Sequence, residues 1–179
     1  MSKRIVITGI GWVTPLGHDI ESVWAALLEG KSGVGKTTRF DASTCPTGFS
    51  AQVKDYDYRQ SITQGDVHEG VGANTAFALG AAAQAWRSSG LGDLDTLNRE
   101  RLGIYLGSGE GVLDFDNYAC SNITAWQPEQ QAIDTVAWAR TASQRMTALR
   151  EIEKECNMPL SHLAMEFGAK GPAYNCLTA

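Results

Sequence analysis

An α/β fold with a largely parallel sheet is predicted by three features of the sequence. Two short apolar runs end in glycine, residues 4–8 (RIVIT) before Gly9 and residues 101–109 (RLGIYLGSG), and both read as buried strands. Between and after them, apolar residues recur every three or four positions, as on helices. The resulting order of strand, helices, strand, helices, strand requires crossover connections, which set strands side by side in parallel.

The composition fits a packed protein. With 179 residues, 43% hydrophobic and 20% charged, the chain is one domain of ordinary size or one half of a two-lobed fold. A net charge of −5 argues against a nucleic-acid or anionic-membrane partner, which would need clustered Lys and Arg. Cys45, Cys120, Cys156 and Cys176 are widely spaced, and His18, His68 and His162 do not have zinc-site spacing, so neither a disulfide framework nor a metal centre is expected. The N-terminus lacks a signal-peptide pattern, and no stretch approaches the ~20 apolar residues of a membrane span. A soluble protein in the reducing cytoplasm is the default expectation.

The elements follow in order. Ile20, Val23, Trp24, Leu27 and Leu28 have helical spacing, with Gly30 placed to stop the helix. Residues 71–88 form a helix of small side chains, Ala76, Gly80, Ala81, Ala83 and Ala85 among them, which can approach neighbours closely and is expected to be buried. After Pro128 one longer amphipathic helix is predicted, with Val136, Ala139, Ala142, Met146, Leu149 and Ile152 on its apolar side. Arg140, Arg145, Arg150, Glu151 and Lys154 fill the other side, and the charged series of 140–155 reads as a solvated face. Residues 159–167 form another helix, stopped by Gly168, and residues 173–179 resume as a strand.

Three motifs invite a functional reading. Residues 30–37, GKSGVGKT, match the phosphate-loop pattern literally. Such a loop must follow a strand and open a helix, whose N-terminus completes the anion site; here it follows a helix, so a glycine-rich connection is the reading and a nucleotide-binding module only a remote alternative. Asp114, Asp116 and Asn117 begin like a calcium loop but lack its glycine and distal glutamate, which leaves a solvated acidic turn. His162, beside Leu163 and Met165, reads as a hydrogen-bonded packing residue.

Several blocks, in order, resemble the N-terminal half of the β-ketoacyl-[acyl-carrier-protein] synthases, the type II condensing enzymes of fatty acid and polyketide synthesis. They are residues 4–17 (RIVITGIGWVTPLG), 24–33 (WAALLEGKSG), 39–41 (RFD), 103–109 (GIYLGSG), Asn157 with Met158, His162 with Leu163, and 167–172 (FGAKGP). Residues 117–156 do not share in the resemblance. What it implies is a thiolase-like fold, of which this chain is the N-terminal αβα lobe with a largely parallel mixed sheet, incomplete without the C-terminal half.

The resemblance also implies a chemistry. In this family a cysteine on a strand-to-helix turn takes an acyl group from a carrier thioester, and basic side chains assist decarboxylation of a malonyl thioester whose carbanion attacks the acyl-enzyme. A helix N-terminus favours the thiolate and supplies N–H groups to the oxyanion. The strand leading to that turn resembles residues 171–179 (GPAYNCLTA), so that the domain, residues 1–179, is expected to end just before the nucleophile. Cys176 lies within the strand, about 13 Å from the turn at ~3.3 Å per residue, and reads as a small buried apolar residue.

No catalytic residue is therefore carried over, no cofactor or metal is expected, and the chain alone is expected to be inactive. The position after Gly107, Ser108 and Gly109 borders the acyl pocket in the family, which makes Gly109 and Glu110 the candidate pocket residues. A carboxylate there costs several kcal/mol unless paired, protonated or turned to water. Either Glu110 disfavours a long saturated acyl chain, or it faces solvent or an arginine. Expected partners are an acyl carrier protein with acyl and malonyl thioesters, and a second copy or a full-length synthase, with no nucleic acid or membrane. The alternative reading is a non-catalytic partner in the manner of a chain-length factor.

Overall fold

The computed structural model describes residues 4–109 and 114–177. They divide into two compact units, one of residues up to Gly65 with Ala76–Arg99, the other of Asp66–Thr75 with the residues from Glu100 onward.

In the first unit, helix α1 (Ile20–Leu28) begins where Asp19 accepts the backbone N–H of Ser22 at 2.8 Å, and ends before Gly30 at φ 67°. Strands β1 (Val34–Lys36) and β2 (Phe49–Ala51) pair antiparallel. Helix α2 (Ala73–Ser89) is the predicted small-residue helix, with Leu79, Gly80 and Ala83 buried. Its small side chains allow the close approach foreseen: a Cβ at Gly11 would overlap the carbonyl of Ala81, and one at Gly9 that of Ala85. Gln84 fastens the same segment, donating to the carbonyls of Trp12 (3.0 Å) and His18 (2.7 Å) and accepting the N–H of Trp12.

The run at residues 4–8 is not a strand, and Ile5 is 95% and Ile7 85% exposed. β-Branched residues favour extended backbone, but a strand also needs a neighbour to share its hydrogen bonds, and this run has none among the described residues.

The second unit contains the parallel pairing that the topology argument required. Strand β3 (Ile104–Gly107) lies beside β6 (Ala173–Cys176), with Tyr105 opposite Tyr174 and Gly107 opposite Cys176. Because side chains alternate, Ile104, Leu106 and Asn175 share one face, and Tyr105, Tyr174 and Cys176 the other. Helix α6 (Met158–Phe167) packs against both strands; Pro159 sits in its first turn and Gly168 closes it at φ 60°. The second face is open, with Tyr105 77% and Tyr174 63% exposed. Cys176 is consequently exposed, not buried as expected, because the expectation assumed a sheet covered on both sides.

Residues 114–153 depart most from the sequence reading. Helix α3 (Phe115–Ala125) leads through a hairpin of β4 (Trp126–Gln127) and β5 (Ala132–Ile133) into α4 (Thr135–Arg145). Helices α3 and α4 pack together, with the rings of Tyr118 and Trp138 edge to face at 6.4 Å. The single helix predicted beyond Val136 is two, since Met146 and Thr147 are extended and α5 (Ala148–Glu153) starts afresh. Periodicity reports spacing alone; here tertiary partners reorient the chain. Asp114 is 3% exposed rather than a solvated turn, holding Asn117 Nδ2 at 2.9 Å and Arg150 at 3.7 Å. Glu153, expected on the solvated face, is buried against His162.

Candidate functional site

In a parallel α/β sheet, functional groups collect beyond the carboxyl ends of the strands. Here those ends are Gly107 of β3 and Cys176 of β6, directly opposite one another. The sheet hydrogen bonding continues one step further, since Ser108 N–H donates to the carbonyl of Cys176 at 3.2 Å. This fixes the loop after β3 beside the end of β6.

Side chains reinforce that junction. Ser108 Oγ donates to the carbonyl of Cys156 at 2.7 Å and also stands 3.1 Å from Asn175 Oδ1. Asn175 Nδ2 donates to the same Cys156 carbonyl at 2.7 Å. Asparagine is a poor strand residue, but here both ends of its amide are engaged, tying β6 to the turn between α5 and α6 and to the loop after β3.

Gly109 follows directly, half-buried, with open space where a side chain would project. The other pocket candidate, Glu110, lies outside the described residues. The geometry thus brings Gly109 to the C-terminal edge of the parallel pair, the same edge at which β6 ends.

A polar cluster that sequence reasoning did not assemble lies elsewhere in the second unit. His162 is buried, as expected of a hydrogen-bonded packing residue, but its partners are unexpected: Glu153 at 3.1 Å from Nε2, and His68 at 2.8 Å between Nδ1 atoms. His68 in turn places Nε2 3.1 Å from Glu166. Part of this was legible, since His162 and Glu166 are four residues apart and so share one face of α6. His68, 94 residues from His162, could be brought in only by the fold.

The phosphate-loop match does not form an anion cradle. Gly30 terminates α1 and Lys36 lies in β1, giving helix, loop, strand in place of strand, loop, helix. The same unit has an apolar cleft of about 380 Å³, lined by Trp12, Leu16, Val23 and Leu27 among others. No helix among the described residues is long and apolar enough to cross a membrane.

Comparison with known proteins agrees with these features. Over 114 residues, 61% of this chain, it is 45% identical to 3-oxoacyl-[acyl-carrier-protein] synthase 2 of Coxiella burnetii, and the matched part is 26% of that protein. The matched part therefore spans about a quarter of the length of such a relative. The fold resembles that of a β-ketoacyl synthase from Burkholderia phymatum, with a TM-score of 0.70 at 19% identity, covering 96% of this chain and 38% of that one. It also resembles a type II polyketide synthase ketosynthase in complex with its acyl-carrier protein, with a TM-score of 0.65 at 16% identity, covering 97% of this chain and 41% of that one. Both likenesses are of fold, and they extend over the parallel β3–β6 pair and α6. Residues 2–179 match the family described as beta-ketoacyl synthase, N-terminal domain, and the chain belongs to that family.

Proposed function

We propose that this chain is the N-terminal half of a 3-oxoacyl-[acyl-carrier-protein] synthase domain, ending just before the nucleophilic cysteine, and that the intact protein condenses an acyl thioester with a malonyl thioester on an acyl carrier protein. The observation that carries this reading is the match of residues 2–179 to the family, combined with a β6 that runs parallel to β3 and brings its end beside Gly109. In this reading the sulfur of a cysteine following Ala179 displaces the carrier thiolate and holds the acyl group. Malonyl carrier then loses CO₂, and its carbanion attacks the acyl carbonyl, expelling the cysteine thiolate. Gly109 and Glu110 border the acyl pocket, and the open face bearing Tyr105 and Tyr174 takes its cover from the remainder of the domain or a second subunit.

The test compares the 179-residue chain with the same chain continued through the rest of a synthase domain, each given acyl-carrier and malonyl-carrier protein. The continued protein is expected to become acylated at cysteine and to release a 3-oxoacyl product, and the short chain to do neither. Turnover by the short chain, or a continued protein that binds carrier without being acylated, would overturn the reading. The second of these outcomes, together with co-purification of a complete synthase, would identify a non-catalytic partner subunit.

A further inference from the structure

At the carboxyl end of the parallel pair one backbone oxygen carries two short hydrogen bonds. The Cys156 carbonyl accepts from Ser108 Oγ and from Asn175 Nδ2, each at 2.7 Å, while Ser108 Oγ stands 3.1 Å from Asn175 Oδ1. The three groups close a ring, and the ring admits one orientation of the amide. Turned over, Asn175 would set Oδ1 against the carbonyl oxygen with no proton between them. Aspartate would oppose two oxygens in the same way, and valine, which a strand favours, would bond to neither partner. Serine and asparagine are thus matched to each other and to the carbonyl by their donors and acceptors.

We propose that Ser108 and Asn175 are positioning residues that set the depth of the acyl pocket, an inference that rests on the synthase reading above. Strand register supplies the reason. Gly107 pairs with Cys176 and Ser108 N–H reaches the Cys176 carbonyl, so Ser108 lies beside Leu177. Three residues at ~3.3 Å each put that point about 10 Å short of the cysteine that would follow Ala179. A group at this depth meets the far part of an acyl chain and not the reacting carbonyl. Gly109 comes next, with open space where a side chain would project, and its place decides how long a chain is admitted.

The ring supplies a restraint that the sheet does not. The Ser108 N–H bond ties the loop after β3 to β6 alone. The Cys156 carbonyl belongs to the turn between α5 and α6, so the two side chains relate the loop to the helix that packs against both strands. Removing either side chain leaves the loop paired with β6 but free to shift against α6, and Gly109 shifts with it.

The test uses the chain continued through the rest of the synthase domain, as parent and as Ser108→Ala, Asn175→Ala and Ser108→Thr variants. Each is given saturated acyl-carrier proteins that differ by two carbons, with malonyl carrier in excess, and kcat/KM is measured for every length. Acylation stoichiometry at cysteine counts the folded sites. A residue that only holds the fold lowers all chain lengths by one factor, whereas a positioning residue changes their ratios. The parent's preference between neighbouring lengths is expected to fall about tenfold in both alanine variants. Ser108→Thr retains the hydroxyl and is expected to keep the parent's preference. A parent that is not acylated would overturn the synthase reading and the positioning role with it. An acylated parent whose alanine variants keep its chain-length ratios, alanine variants that do not fold, or a threonine variant that loses the preference as the alanine variant does would overturn the positioning role alone.

Discussion

Ser108 and Asn175 donate to one acceptor, the carbonyl oxygen of Cys156, each at 2.7 Å. The first residue lies just past β3, the second in β6, and the acceptor in the turn before α6. Three segments at the candidate site therefore share a single oxygen.

That shared oxygen makes Asn175 a stability determinant despite its poor fit to a strand. Asn175→Ala removes one donor from the Cys156 carbonyl and a partner from Ser108, which is expected to cost about 1–2 kcal/mol. Asn175→Val, a better strand former, is expected to lose stability as well, and urea unfolding of both variants measures this. A stabilised Val variant would show that strand propensity outweighs the hydrogen bonds.

Gly11 is expected to tolerate no side chain. A Cβ there meets the backbone carbonyl of Ala81 in α2, which cannot rotate away. Gly11→Ala should therefore push the segment off α2, strain the Gln84 hydrogen bonds and cost about 1–3 kcal/mol. Gly35→Ala, with open space at its Cβ, is the control and should stay close to the parent in thermal unfolding.

Asp19 supplies a pH-dependent cap. The backbone N–H and hydroxyl of Ser22 hold its carboxyl below the ordinary value of 3.8. A carboxylate with a depressed folded-state pKa contributes stability that is present above 3.8 and lost as pH falls through the lower, folded value. Asp19→Ala should cost about 1 kcal/mol at neutral pH, whereas Asp19→Asn should keep most of the cap and flatten this part of the acid limb. Helicity and urea midpoints between neutral and acid pH give both comparisons.

Local rules in the sequence determined α1 with its glycine stop, the small-residue helix α2, the stop of α6 at Gly168, and β3 and β6. Each depends on residues a few positions apart, and the crossover argument then required β3 and β6 to be parallel. The same rules read residues 4–8 as a buried strand and Cys176 as buried, because propensity records what a backbone favours and not whether a neighbour is there to cover it. Only the tertiary structure divided the helix beyond Val136, buried Asp114 and Glu153, and joined His68 to His162. Buried polar groups take their partners from wherever the chain returns, and sequence spacing holds no record of that return.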